Sequence, residues 1–349
     1  MKLKKFIATL LVVLMLVSSL SLSISAFSII SLFLGDGYRS ILEQMVDADL
    51  MFNDGIGLRR NGYAIDYKYY SPVKNNDTTK YPLVIWLQGQ GNNKEPGDQL
   101  SGSDIEAWTT AELQQRFTGT NGAFIFVPRA PKSFGWDKSL IKPLKTAIDG
   151  FIVKYRDNID VTRIYLGGYS LGGWMSFNVA AEYPEMFAAI FVACPALGLA
   201  KDIPGKIADI PVWLTSGKND FAVNYNNVIK PTWNKIMAET NVAGQCRFST
   251  LRKTSDPLGR VPSFGHSSWD AVTYDMFSAM DGKYPRMSTV DGNGNTVKLT
   301  YPNGMISWLS DKTSNYSGLS DSEVYCFTVI GSLTDAIRSV KEFFAGIFD

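Results

Sequence analysis

Histidine is almost absent from this chain: there is one, His266, in 349 residues. That excludes a zinc centre built from several histidines. Three scattered cysteines, Cys194, Cys246 and Cys326, supply no paired ligand spacing either. Being odd in number, they can form at most one disulfide, and they read as small buried hydrophobes. Net charge is also lacking. The 34 Lys and Arg face 33 Asp and Glu, a formal charge of +1. Such a chain has no field with which to hold a phosphate backbone, so no nucleic-acid partner is expected. Low net charge with 45% hydrophobic residues excludes a disordered chain. No internal repeat or low-complexity tract is present. The length suits one large domain or two small ones, and a core of that size needs no disulfide staples.

Charge is missing again near the start. After the basic Met1-Lys2-Leu3-Lys4-Lys5, no charged residue occurs from Phe6 to Gly35. Residues 1–26 have two main readings beside that of a buried helix of a soluble protein. One is a signal peptide with its apolar part at Phe6–Val17 and cleavage after Ile24-Ser25-Ala26. The other is an uncleaved N-terminal anchor, since the uncharged run is long enough to span a bilayer. Both put the remainder outside the cytoplasm, secreted or membrane-anchored, because the basic flank stays inside. Loss of Lys2, Lys4 and Lys5 would leave 31 basic and 33 acidic residues, a charge of −2. Asn76-Asp77-Thr78 and Asn315-Tyr316-Ser317 fit the glycosylation pattern, which matters only in a eukaryotic secretory pathway.

Beyond the leader, residues 37–310 read as one domain and 311–349 as an extension. Ile41–Met51 suits a short helix and Tyr63–Val73 a strand. Leu83–Leu87 is a continuous apolar run, as in a strand buried on both faces. A helix capped by Asp104 is expected to Phe117, then a strand at Ala123–Val127 and a helix at Leu140–Tyr155. Strands are expected at Arg163–Leu166, Ala188–Val192, Pro211–Thr215 and Arg247–Leu251, with helices at Leu171–Glu182 and Val228–Glu239. This alternation predicts an α/β fold, a mostly parallel central sheet with helices on both faces. Ligands of such sheets bind at the carboxyl ends of the strands.

The chemistry collects at those ends. Gly168-Tyr169-Ser170-Leu171-Gly172 is a G-x-S-x-G sequence between a predicted strand and a predicted helix. Small neighbours allow the tight turn that projects a serine hydroxyl above the sheet. A serine needs a base. The only imidazole available is His266, in the loop Phe264-Gly265-His266-Ser267-Ser268-Trp269. The base in turn needs a carboxylate to fix its tautomer. Asp220, in the loop after Pro211–Thr215, lies between the two in chain order. Asp202 and Asp209 precede that strand, and Asp270 follows the histidine. For the oxyanion, backbone N–H groups are expected from Leu171 and from Gln90, in Gln88-Gly89-Gln90-Gly91. That G-x-G has no following helix start or acidic ribose ligand, so it is no phosphate cradle. Trp136, Trp174 and Trp269 are candidates for stacking on substrate. No cofactor and no metal is called for.

With these residues in place the chain resembles the secreted serine-esterase branch of the α/β-hydrolase superfamily. That branch includes polyhydroxybutyrate-depolymerase-like, feruloyl and acetyl-xylan esterases, and peptidase-like relatives of phospholipase/carboxylesterases. The resemblance rests on Tyr81–Gly91, Asp160–Gly173, Tyr183–Ala188, Pro211–Trp213 with Asp220–Val223, Gly265–Trp269 and Ile306–Ser310, and covers roughly residues 62–310. It implies an α/β-hydrolase fold, a Ser170–Asp220–His266 triad, and hydrolysis of a small-molecule or polysaccharide-linked ester. A serine peptidase of the prolyl-oligopeptidase-like type and a non-catalytic binding protein are the alternatives. Two departures stand out. The family usually has His where Gln88 stands, and that His shapes the oxyanion loop without acting as base. Residues 282–301 look like an inserted β-hairpin turning at Asp291-Gly292-Asn293-Gly294-Asn295. A calcium loop there would need Gly at Thr296 and a closing Glu. In the tail, Leu333, Ile337, Val340, Phe344 and Ile347 form a helical stripe expected to pack on the body.

Overall fold

The computed structural model describes residues 51–91, 99–100, 105–252, 265–275, 287–300 and 303–331. Among them is one sheet built from β1 (Asn53–Ile56), β2 (Asp66–Tyr70), β3 (Tyr81–Leu87), β4 (Phe124–Pro128), β5 (Ile159–Tyr169), β6 (Ala189–Ala193), β7 (Val212–Gly217), β8 (Arg247–Leu251) and β9 (Met287–Asp291). Their spatial order is β1-β2-β4-β3-β5-β6-β7-β8-β9. The pairings from β4 through β8 are parallel, while β1, β2 and β9 join antiparallel at the margins.

The apolar run of β3 shows why the sheet is central. All seven of its residues are buried. Leu83, Ile85 and Leu87 enter one core, and Val84 and Trp86 enter the other. The first core is covered by α1 (Ile141–Lys154), α2 (Leu171–Glu182) and α3 (Lys230–Glu239). The second is covered by residues 105–117, α4 (Trp269–Thr273) and α5 (Met305–Ser310). Alternation within one strand therefore serves two helical layers. From β3 the chain steps to β4 on one side, then crosses to β5 on the other. The crevice between β3 and β5 is the switch point where a ligand site forms in such sheets. No helix of the described residues is long and apolar enough to cross a membrane.

Several expectations need correction. The helix expected to Phe117 is a 3₁₀ turn, Ile105–Thr109, followed by a short α-turn, Ala111–Gln114. Thr110 breaks it: its backbone is extended and its hydroxyl caps the second turn by accepting from Leu113 N at 3.3 Å. Asp104 lies outside the described residues. The expected hairpin has a different form. Its first arm, β9, is the edge strand of the main sheet, whereas the second arm makes only an isolated bridge, Thr296 to Val290. Asp291 Oδ1 accepts from the N–H groups of Asn293 and Asn295 at 2.9 and 2.8 Å, which closes the turn. A helix at 321–331, unforeseen in the sequence, sets Phe327 against Gly150 of α1. The leader, the expected helix up to residue 50, residues 282–286 and 301, and the expected helix at 332–349 lie outside the described residues.

Candidate active site

Ser170 sits between β5 and α2 with φ 53° and ψ −120°, a backbone conformation that disfavours any side chain. Its N–H donates to Ala193 O at 3.0 Å, and its carbonyl accepts from Ala196 N at 2.8 Å and Trp174 N at 3.1 Å. The turn is tight enough that Gly172 touches the end of β3. A Cβ there would stand 2.1 Å from Leu87 O and 2.4 Å from Gln88 O. Only glycine fits, which is the physical content of the G-x-S-x-G spacing.

Asp220 follows β7 and is buried, with no side-chain exposure. Its Oδ1 accepts from Ala222 N at 2.9 Å and Val223 N at 2.8 Å. Its Oδ2 lies 2.8 Å from His266 Nδ1. His266 Nε2 lies 3.0 Å from Ser170 Oγ. The histidine is seated by the residue before it. Gly265 has φ 79°, and a Cβ there would come within 2.1 Å of Asn219 O, so the two loops lie backbone against backbone. The three residues named from the sequence are thus joined in one hydrogen-bonded chain. The rejected carboxylates lie elsewhere: Asp202 pairs with Lys206 at 2.8 Å, and Asp209 accepts from Asn241 Nδ2 at 2.7 Å.

Burial of the imidazole disfavours its charged form. The Cys194 sulfur and the Asp220 carboxylate outweigh that, and the His266 pKa is held above its ordinary value. Cys194 was not singled out by the sequence. It follows β6, is fully buried, and has φ 38°. Its Sγ donates to His266 O at 3.1 Å. A signal existed in the strand pairing: Tyr169 lies opposite Ala193, so the next residues, Ser170 and Cys194, are neighbours at the sheet top. Metal-ligating atoms of Cys194, Asp220 and His266 lie within 4.8 Å of one another. The Asp220 and His266 atoms already bond each other.

Leu171 N–H opens α2, where no intrahelical acceptor exists. Gln90 lies in an exposed turn after β3. Both approach Gly135: a Cβ at that position would lie 3.1 Å from Leu171 Cδ2 and 3.8 Å from Gln90 Cα. The two expected oxyanion donors are therefore on neighbouring segments beside Ser170. Gln88 is fully buried, and its backbone carbonyl accepts from Trp136 Nε1 at 3.0 Å. That corrects the reading of Trp136 as a substrate contact. It is 1% exposed, a core residue that ties the loop after β4 to the loop after β3. Trp269 is partly exposed, 4.5 Å from the Tyr169 ring and 5.3 Å, edge on, from the His266 ring. Trp174 is half-buried against the first core. A groove of about 530 Å³ between β1, α1 and the 321–331 helix contains none of these residues.

No known family model matches the chain. Over 175 residues, 49% of its length, it is 25% identical to a bifunctional acetylxylan esterase/xylanase of Neocallimastix patriciarum. The chain spans only 23% of that protein's length. Among solved structures, a thermostable esterase matches with a TM-score of 0.55 and 23% identity, over 76% of this chain and 64% of its own.

Proposed function

Because the chain has the α/β-hydrolase fold, we propose that it is a serine hydrolase that cleaves carboxylic esters through an acyl-enzyme. The observation that carries this is the chain Ser170 Oγ–His266 Nε2 at 3.0 Å and His266 Nδ1–Asp220 Oδ2 at 2.8 Å. Asp220 holds Nδ1 protonated, so that Nε2 presents its lone pair to the serine. Ser170 Oγ attacks the ester carbonyl carbon as its proton passes to Nε2. The N–H groups of Leu171 and Gln90 stabilise the resulting oxyanion. The imidazolium then protonates the departing alcohol. A water gives its proton to Nε2, attacks the acyl-enzyme, and frees the acid and Ser170.

The ester is a small molecule or an acyl group carried on polysaccharide. The latter rests on the partial likeness to the acetylxylan esterase/xylanase. The protein acts outside the cytoplasm, a reading supported by the basic start and the uncharged run from Phe6 to Gly35. The test is nitrophenol release from a short-chain ester by residues 27–349, wild type beside Ser170→Ala. Loss of the rate in the variant is expected. Equal rates would refute the nucleophile. Faster cleavage of a prolyl or alanyl anilide than of the ester would make the protein a peptidase instead.

A further inference from the structure

Large apolar side chains on a protein surface are ordinary when scattered singly. Here they are not scattered. Eight are exposed among the described residues. Five lie at one end of the fold: Met51 and Ile56 at β1, and Tyr325, Val329 and Ile330 on the 321–331 helix. The other three are Phe134, Leu197 and Phe221, exposed by 65%, 49% and 69%. They occupy three different loops, after β4, β6 and β7, all at the carboxyl edge of the sheet.

Each of the three is one residue from a residue that contacts the site. Phe134 precedes Gly135, which packs beside Leu171 and Gln90. Leu197 follows Ala196, whose N–H donates to the carbonyl of Ser170 at 2.8 Å. Phe221 follows Asp220, which holds His266. Three loops thus meet at the Ser170–His266 pair, and each presents a large apolar side chain that is about half exposed or more. That exposure is unfavourable by about 25 cal/mol per Å² of apolar surface, so a bound apolar group that covers it is stabilised.

We infer that Phe134, Leu197 and Phe221 form an apolar rim around Ser170 that receives the acyl chain of the ester, and that the preferred acyl group is larger than acetyl. This rests on the serine-esterase reading above. The acyl chain is the part assigned to the rim because the loops that carry Phe134 and Leu197 contact Leu171 and Ser170 through Gly135 and Ala196, and Ser170 keeps the acyl group after the alcohol has left.

The test compares kcat/KM for nitrophenyl acetate, butyrate and octanoate. Each fully buried methylene is worth roughly a fourfold gain. An open rim covers the chain in part, so the wild type is expected to favour octanoate over acetate by at least about tenfold. In the triple variant Phe134→Ser, Leu197→Ser, Phe221→Ser that ratio should fall by about tenfold or more, and the single variants should each lower it in part. All three side chains are exposed, so circular dichroism and melting should match wild type, and the singles serve if the triple variant does not fold. A wild type that prefers acetate, or a ratio unchanged by the substitutions, overturns the rim while Ser170-dependent esterase activity stands. Failure of a fluorophosphonate to label Ser170, with turnover surviving Ser170→Ala, overturns the esterase reading and the rim together.

Discussion

Asp220→Asn is the sharpest single perturbation, because the surroundings of Asp220 dictate which way the new amide turns. The carboxylate is buried and accepts on both sides. Oδ1 takes two backbone N–H groups, from Ala222 and Val223, and Oδ2 takes His266 Nδ1. Asparagine has one acceptor oxygen. Placed toward His266, that oxygen would leave its NH₂ against two donors, which is unfavourable in a buried site. Placed toward Ala222 and Val223, it keeps both of their bonds and aims the NH₂ at Nδ1. Nδ1 must then accept, the proton moves to Nε2, and Nε2 points a hydrogen at Ser170 Oγ. The base has lost its lone pair. A wrong tautomer of this kind costs roughly 10⁴ in kcat, or about 5.4 kcal/mol at 1.36 kcal/mol per decade. The assay is initial-rate nitrophenol release by wild type and variant, with near-UV circular dichroism to show the fold intact. A well-folded Asp220→Asn within about tenfold of wild type would refute the assignment of Asp220 and the tautomer argument with it.

The raised pKa of His266 fixes the sign of the pH dependence. The neutral ring is the base, so activity should fall as pH drops through a value above the unperturbed 6.5 or so; a kcat/KM profile with its acid midpoint below pH 6 would contradict this. By linkage, the same shift adds stability fully present below about pH 6.5 and lost as pH rises through the raised value, which thermal melts between pH 6 and pH 10 would read. Gly172→Ala drives a methyl into two backbone carbonyls that cannot swing aside, and should lower unfolding free energy by about 3 kcal/mol or abolish folding, as followed by urea titration. Asp275→Ala removes one of the two carboxylates paired with the buried Arg116, at 3.1 Å beside Glu112 at 3.2 Å, and the acceptor of the Met305 and Ile306 N–H groups, and should cost about 3 kcal/mol in the same titration; Asp202→Ala, at an exposed pair, should leave the melting temperature unchanged. Ser170→Gly should unfold about 1 kcal/mol harder than Ser170→Ala, since glycine alone relaxes at φ 53°; equal stabilities would mean the turn is not strained.

The sheet was legible wherever one segment carried its own evidence. Leu83–Leu87 is apolar without interruption because both faces are covered, and the observed β3 contains it. Leu171–Glu182 matches α2 at both ends. Ser170, Asp220 and His266 could be named because chain order and a single histidine leave few combinations. What stayed hidden depends on contacts between segments. An aromatic residue near the site is apolar whether it lines a mouth or fills a core, and Trp136 turned out to fill the core. Cys194 becomes part of the site only through the β5–β6 register. Phe134, Leu197 and Phe221 carry no pattern in the sequence at all; only the fold places them in three loops at the same, carboxyl edge of the sheet. Thr109 and Thr110, two successive β-branched residues amid helix formers, were the local signal for the broken helix at 105–114.

The site also shows how the fold sustains an unfavourable backbone. Two non-glycine residues at the sheet top have positive φ, Ser170 at 53° and Cys194 at 38°. Such conformations cost about 1–3 kcal/mol each and survive only where neighbours over-determine them. Here each is tied to the next strand: Ser170 N to Ala193 O at 3.0 Å, and Cys194 N to Thr215 O at 2.8 Å. The Ser170 carbonyl accepts two more bonds, from Trp174 and Ala196. Relaxing either residue would break bonds that link β5, β6 and β7 and would move the carbonyl of His266, which Cys194 Sγ holds at 3.1 Å. The strain at the serine and the seat of the histidine are therefore one arrangement. The parallel register that aligns the ends of β5, β6 and β7 keeps Oγ and Nε2 within hydrogen-bonding reach before any substrate arrives.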